Sequence, residues 1–155
     1  MSILPTPDPH VLAVLVSNVT QTMLGMSFAA RDLSEMVRES HMTPSWRTAM
    51  LPIFGARPLT IALSSDQVSC AALGAAMFSC PIAEVDNSMM DDSISELLNM
   101  TAGQIKGALA LDQALGLPKI VTNAQLEQIA HTEWKSVALK AGPVELVVWL
   151  IERVF

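Results

Sequence analysis

Three residues in the segment DDSISELLNMTAGQIKGAL, residues 91 to 109, could do chemistry together if the segment is a helix. Asn99 follows Glu96 by three residues and Gly103 follows Asn99 by four, so all three fall on consecutive turns of one helix face. The carboxylate can pair with a cation that a partner brings. The amide can both donate a hydrogen bond to a water molecule and accept one from it, which fixes the direction in which that water attacks.

Orienting a water molecule is a task of phosphoryl-transfer sites, where metal and Lys already stabilise charge and a side-chain amide places the nucleophile in line. A carboxylate beside an amide does not provide a nucleophile together with the base that would activate it. The pattern therefore indicates a site whose other half lies on a second protein. The alternative is that Glu96 and Asn99 are ordinary solvated residues, since Glu84 and Asn87 repeat the spacing in a turn-rich linker with no Gly behind them.

The same segment contains poor helix formers. Asn is neutral to unfavourable in a helix interior and Gly costs about 1 kcal/mol relative to Ala, so Asn99, Gly103 and Gly107 all weaken the helix. Gly103 has no side chain that would stop another surface from approaching. We therefore expect these residues to serve something other than the stability of the helix.

The apolar pattern predicts a helix from Met89 to Leu109. Ile94, Leu98, Thr101, Ile105 and Leu109 fall on one face and are expected to pack on the core, with Glu96, Asn99 and Gly103 on the solvent side. The acidic pair Asp91 and Asp92 is expected in the first turn, where the helix dipole favours negative charge.

The elements before this helix mix helical and extended patterns. We expect a helix from Asp8 or Pro9 to about Phe28, then a loop over residues 30 to 45. Two strands should follow around a turn at Gly55 to Pro58, the first an edge strand or a bulged one because Pro52 has no N–H. A short Ala-rich helix, QVSCAALGAAMF, is expected to begin after a cap at Ser65 or Asp66, with Gly74 permitting close packing.

The elements after it are predicted to be strands. LPKIV reads as a short strand, and the C-terminal segment splits at Gly142-Pro143 into a hairpin that buries Trp134 and Trp149. The second hairpin strand, ELVVWLI, is almost continuously apolar, so both of its faces should be covered. Together these patterns predict one domain that mixes helices and strands.

Composition limits the classes of partner. Hydrophobic residues make up 51% of 155 residues and charged residues only 15%, which favours a homo-oligomer that covers apolar surface. A net charge of −6 argues against nucleic acid or an acidic membrane surface as the main partner. The apolar run VLAVLV is far too short to span a membrane, and no Lys or Arg precedes Arg31 to form the charged start of a secretory signal.

Cysteine and histidine usage indicates a cytoplasmic protein without a metal site. Cys70 and Cys80 form no close C-x-x-C pair, and we expect both to be reduced. The histidines His10, His41 and His131 are scattered and lack carboxylates or thiols at ligand spacing.

The segment ISELLNMTAGQIKGAL resembles the signature helix of the CheX/CheC/FliY family of chemotaxis phosphatases, in which a Glu, an Asn and a Gly stand at the spacing of Glu96, Asn99 and Gly103. The order of the elements also fits that family, and only one copy of the motif with its Gly is present, as in CheX. The resemblance implies a single CheX-like α+β domain over residues 1 to 155. In it, long helices including the signature helix would pack on a mainly antiparallel sheet, after a Pro-rich lead-in at residues 1 to 8.

What the resemblance implies is hydrolysis of the phospho-aspartate of a CheY-type response regulator. Glu96 would pair with the active-site Lys of the regulator and Asn99 would orient the attacking water, with Asp92 and Gly103 as partner-binding positions. The chain itself would bind no cofactor, because the regulator would supply Mg²⁺. The family further implies a homodimer. The alternative is a non-catalytic CheX-like adaptor that binds a receiver domain or a flagellar switch component.

The chain departs from the family in its first hairpin. Arg57-Pro58 stands where the family usually carries a second Gly.

Overall fold

The computed structural model describes residues 9–31, 47–110, 114–121, 135–152 and 154. The helices are α1 (Pro9–Leu24), α2 (Gln67–Phe78) and α3 (Asn87–Ala108), with a single 3-10 turn at Ile82–Glu84 between the last two. The strands are β1 (Ala29–Arg31), β2 (Arg47–Ile53), β3 (Leu59–Ser65), β4 (Lys119–Val121), β5 (Lys135–Ala141) and β6 (Val144–Ile151).

The strands form one antiparallel sheet in the order β1-β5-β6-β3-β2-β4. Helix α3 packs over β2, β3 and β4, while α1 contacts β1 and β5, and α2 contacts β6. Both α1 and α2 also pack against α3. The sequence prediction of an α+β domain with helices on an antiparallel sheet is therefore confirmed.

The main hydrophobic core lies between the helices and one face of the sheet. Alternate residues of the strands point into it, and its fully buried sheet members include Leu51, Ile53, Ile61, Leu63, Leu139, Leu146 and Val148. The other face is buried as well: Met50, Ala62 and Ile151 are at most 5% exposed. The prediction that both faces of β6 are covered is confirmed, with helices over one of them.

Helix α1 ends earlier than its sequence suggests. We predicted a helix to about Phe28, but it ends at Leu24 because Gly25 adopts a left-handed φ of +67°, as is common for a glycine just past a helix end. The chain then reverses, and the backbone N–H of Phe28 donates to Ser17 Oγ at 2.7 Å. Phe28 is buried in the core rather than continuing the helix.

The prediction that β2 is an edge strand or a bulged one is wrong. It pairs with β3 on one side and β4 on the other, and its register with β3 is continuous from Arg47 to Ile53. The Pro52 carbonyl accepts a hydrogen bond from Gly116 N. In an antiparallel strand the N–H and C=O of one residue point to the same neighbouring strand. The side of Pro52 that lacks an N–H therefore faces the β4 side of the sheet, where the β2–β4 pairing has already ended at Met50.

Helix α2 and the C-terminal hairpin follow the sequence prediction closely. The Asp66 carboxylate caps α2 by accepting from Ser69 N at 2.7 Å, and the hairpin β5–β6 turns at Gly142 with a φ of +57°. Trp149 is partly buried and donates from Nε1 to Ser64 Oγ. Trp134 and most of the predicted loop over residues 30–45 lie outside the described residues, although Ala30 and Arg31 belong to β1.

Candidate functional site

Helix α3 begins earlier than predicted. Its N-cap is Asp86, whose carboxylate accepts from Met89 N at 2.8 Å, and its first helical residue is Asn87. The acidic pair Asp91 and Asp92 therefore lies in the second turn, not in the first as we expected. The sequence signal for the true start was the Asp that precedes Asn87-Ser88, a residue type that strongly favours N-caps.

One side of α3 is fixed by packing. Ile94, Leu98, Thr101 and Ile105 are at most 1% exposed, and Leu97 is equally buried. Leu109, expected on the same face, is only half-buried and lies just beyond the last helical residue. The core-facing side of α3 is thus almost as the sequence indicated, and it determines which side is left outward.

The opposite side of α3 carries the candidate site residues. Glu96, Asp92 and Gly103 are exposed and Asn99 is partly exposed. At about 100° per residue, the four lie within a stripe about 60° wide, and Glu96 and Gly103 are separated by about 10 Å along the axis. Among the described residues, neither the Glu96 carboxylate nor the Asn99 amide forms a hydrogen bond or an ion pair. A carboxylate and an amide are therefore presented side by side to solvent.

Gly103 and Gly107 have no structural role in the described chain. A Cβ atom added at either position would meet no heavy atom within 4 Å. Neither residue has the positive φ that would call for glycine, whereas Gly25, Gly55 and Gly142 do. The cost of these two glycines to the helix is consequently not offset by packing or backbone geometry within the molecule.

Two arginines of the β2–β3 hairpin reach α3. Arg47, at the start of β2, donates to the backbone carbonyl and the side-chain oxygen of Asn87, both at 3.1 Å, and forms an ion pair with Asp91. Arg57 donates to the Leu109 carbonyl at the far end of the helix, at 3.5 Å. Arg57 thus contacts the C-terminal end of α3. Sequence reasoning missed both contacts, because nothing in the local pattern links this hairpin to residues that lie 40 to 52 positions away.

Glu84 and Asn87, which repeat the spacing of Glu96 and Asn99, lie in a different environment. Glu84 ends the 3-10 turn, and Asn87 is the first residue of α3, where its side chain accepts a hydrogen bond from Arg47. Val85 and Asp86 between them have extended backbone, so no continuous helix places Glu84 beside Asn87. Of the two copies, only Glu96 and Asn99 lie together in mid-helix on the outward face.

The described residues hold no group of three or more His, Cys, Asp or Glu side chains arranged to bind a metal ion. Within the same ranges, no helix has the length and apolar character needed to cross a membrane.

Comparison with known proteins identifies the family of the fold. A family model described as "Chemotaxis phosphatase CheX" matches residues 47–140, which include β2, α3 and the candidate site. No curated protein sequence matches the chain.

Solved structures with the same architecture are distant in sequence. The chemotaxis protein CheX from Vibrio vulnificus has a TM-score of 0.69 at 14% identity, covering 95% of this chain and 97% of the other. A CheX-CheY-BeF3-Mg²⁺ complex from Borrelia burgdorferi has a TM-score of 0.64 at 13% identity, covering 97% and 99%. FliM in a FliM-SpeE complex from H. pylori has a TM-score of 0.66 at 9% identity, covering 94% and 83%. At these identities, the likeness establishes the fold.

Proposed function

Since the chain belongs to the CheX family of chemotaxis phosphatases, we propose that it hydrolyses the phospho-aspartate of a CheY-type response regulator through the outward face of α3. Glu96 anchors the helix by pairing with the active-site Lys of the regulator. Asn99 enters the active site of the regulator and orients the attacking water. Asp92 and Gly103 belong to the same contact surface.

The observation that carries this proposal is the open space around Gly103. Gly103 costs helix stability, has ordinary helical backbone, and leaves a space in which an added Cβ atom would meet no heavy atom within 4 Å. Such a residue is best explained by a surface that comes from outside. Gly103 lies one turn beyond Asn99 on the outward stripe. A partner that approaches the bare backbone at Gly103 would bring its own groups next to the Asn99 amide and the Glu96 carboxylate.

The chemistry needs little from this chain beyond positioning. The Asn99 amide can accept a hydrogen bond from the attacking water and donate one to an oxygen nearby, which holds the water in line with the bond to be broken. The water oxygen then bonds to phosphorus, the bond from phosphorus to the aspartate oxygen breaks, and the products are free aspartate and inorganic phosphate. The regulator contributes the phosphoryl group and the Mg²⁺ that neutralises charge on its oxygens.

Glu96 suits an anchoring role because it is exposed and without a partner among the described residues. Asp92 lies one turn before it on the same stripe and adds a second negative charge, since Asp91 is already paired with Arg47. A cation on the partner would therefore meet an acidic N-terminal half of the helix. We place the protein in the cytoplasm with its regulator, and expect it to act as a homodimer.

The test is phosphate loss from receiver domains encoded in the same genome, each charged with acetyl phosphate in Mg²⁺. The chain should accelerate phosphate loss from at least one receiver, Asn99→Ala should abolish the acceleration, and Glu96→Ala should weaken binding. Two matched controls exist in the chain. Asn18→Ala removes an exposed Asn from α1, and Glu84→Ala removes an exposed Glu from the 3-10 turn, and both should retain full activity.

A non-catalytic adaptor is the second candidate, because FliM structures share the fold. An adaptor uses the Glu96 surface for docking and has no need of the Asn99 amide. If a receiver binds with no faster phosphate loss, and Asn99→Ala binds as well as the unaltered chain, the adaptor function replaces the phosphatase.

A further inference from the structure

One arginine outside the candidate site makes several directional contacts to the helix that carries it. The Arg47 guanidinium donates to the Asn87 carbonyl and side chain and pairs with the Asp91 carboxylate. These acceptors belong to two residues on consecutive turns of α3, while Arg47 itself is the first residue of β2. The side chain of Arg47 is 15% exposed and that of Asp91 is 42% exposed, so the guanidinium is mostly covered while its acceptors lie at the surface.

Helix stability alone does not account for this contact. The N-terminal end of a helix carries a partial positive charge, which disfavours a cation nearby. Arg47 lies beside the first two turns of α3, and the Asp91 carboxylate is the group that offsets its charge there. A Lys or Arg near the C-terminal end would stabilise the helix more simply, as Arg57 does at Leu109.

The geometry of the contact restricts rotation of α3 about its own axis. Apolar packing on the core is non-directional, so by itself it tolerates small rotations of a helix about its axis. A guanidinium is a planar fork whose donors match acceptors in fixed positions. Asn87 and Asp91 lie on the flank of α3, about 80° to 120° around the axis from Asn99. A tether on the flank resists rotation that would carry Asn99 and Glu96 sideways.

The magnitude of that rotation matters for chemistry. Side-chain ends lie about 6 Å from the helix axis, so a rotation of about 10° moves them by about 1 Å. A misplacement of that size can reduce the rate of a reaction by as much as about 100-fold.

We propose that Arg47 is a positioning residue for the Glu96 and Asn99 pair, acting through its contacts with Asn87 and Asp91 to set the rotation of α3 on the sheet. This inference rests on the proposed function of α3. Arg47 touches neither the phosphoryl group nor the partner. Its effect is exerted on where the Asn99 amide stands when the receiver docks.

The experiment compares Arg47→Met, which keeps the apolar stem, with Arg47→Lys, Asp91→Asn and the control Arg57→Met. The rate of phosphate loss is measured against the concentration of a receiver charged with acetyl phosphate in Mg²⁺, well below the melting temperature of each variant. In Arg47→Met, kcat should fall roughly tenfold or more while KM changes by less. Arg47→Lys should recover part of kcat, because an ammonium can pair with Asp91 but cannot form the fork. The kcat of Asp91→Asn should lie between those of Arg47→Met and the unaltered chain. The kcat of Arg57→Met should stay within about twofold of that of the unaltered chain.

An Arg47→Met variant with a lower melting temperature and an unchanged kcat would overturn the proposal, since Arg47 would then only stabilise the fold. If the unaltered chain accelerates phosphate loss from no receiver, the proposed function fails separately. The positioning role is then decided by the side-chain amide resonances of Asn99 in NMR spectra. They should shift in Arg47→Met and stay in place in Arg57→Met, and unshifted resonances in Arg47→Met would reject the role.

Discussion

Gly74 of α2 lies so close to Val85 that a Cβ atom added at Gly74 would stand 2.7 Å from Val85 Cγ1. The same added atom would lie 3.6 Å from Ser93 Oγ of α3, so Gly74 marks the place where α2 approaches both α3 and the segment before it. A Cβ atom added at Gly103, on the outward side of α3, would meet no heavy atom within 4 Å. The buried Gly74 is therefore required by packing inside the molecule, whereas the exposed Gly103 is not.

Gly74→Ala should destabilise the fold. Val85 is β-branched and stiff, so the added methyl group forces the backbone of one segment to move, at about 1–3 kcal/mol for overpacking. The gain in helix propensity, about 1 kcal/mol, offsets only part of that cost. Urea unfolding of the variant measures the net loss. An unchanged or raised free energy of unfolding would mean that Val85 moves aside freely.

Gly103→Ala should separate stability from function. Because the added methyl group meets nothing in the chain, the free energy of unfolding should rise by about 1 kcal/mol. Affinity for a receiver loaded with beryllofluoride and Mg²⁺ should fall, as the methyl group would lie in the contact. Gly107→Ala is the matched control, with the same open surroundings one turn farther on. Because Gly107 lies about 12 Å along the helix axis from Asn99, twice as far as Gly103, it should gain stability and keep its affinity. Equal affinity in Gly103→Ala would remove Gly103 from the contact surface.

Asp86→Ala should weaken the start of α3. The carboxylate satisfies the Met89 N–H at 2.8 Å, and loss of an N-cap of this kind costs about 1 kcal/mol. Asp86→Ser is the informative comparison, because a hydroxyl can accept the same hydrogen bond. Thermal unfolding should rank the unaltered chain and Asp86→Ser above Asp86→Ala. If all three melt together, the cap contributes nothing that water does not replace.

Cys70 should make stability fall at alkaline pH. Burial raises the pKa of its thiol from 9.0 to about 11, and the nearby Arg47 guanidinium lowers that pKa only in part. The folded state therefore holds a proton that the unfolded state has lost, so this contribution to stability is complete below about pH 9 and declines toward pH 11. In Cys70→Ala, the difference in unfolding free energy between pH 8 and pH 10.5 should be smaller than in the unaltered chain. A difference of the same size would assign the alkaline loss to other groups.

Cysteine alkylation provides an independent check of that assignment. The thiolate is the reactive form, and Cys70 is buried and protonated while Cys80 is partly exposed. Iodoacetamide at pH 8 should label Cys80 in the folded protein and Cys70 only after unfolding. Rapid labelling of Cys70 under native conditions would show that the core opens readily around α2.

The outward face of α3 could be predicted from the sequence because it depends on local periodicity alone. The apolar residues Ile94, Leu98 and Ile105 fix the buried side, and Glu96, Asn99 and Gly103 then must lie opposite. The cap at Asp66 and the turn at Gly142 were predictable for the same reason. Their signals lie within a few residues of the structure that they specify.

Features that depend on distant pairing could not be predicted. Strand β1 is three residues long and exists through its pairing with β5, whose sequence is more than 100 residues away. Pro52 indicates an edge strand, yet β2 is internal, and it accommodates the proline because pairing with β4 ends before that residue. The contacts of Arg47 with α3 likewise depend on how the strand and the helix meet.

The roles of Glu96 and Asn99 are of a different kind, since they concern a partner surface that neither the sequence nor the fold of this chain contains.

The most direct test of the account is the rate of phosphate loss from a charged receiver at saturating concentrations of the unaltered chain and of Asn99→Ala, with affinity for the beryllofluoride-loaded receiver measured in parallel. The account predicts that Asn99→Ala binds the receiver about as well as the unaltered chain but no longer accelerates phosphate loss. Full acceleration by Asn99→Ala, at unchanged affinity, would contradict the assignment of Asn99 as the residue that orients water.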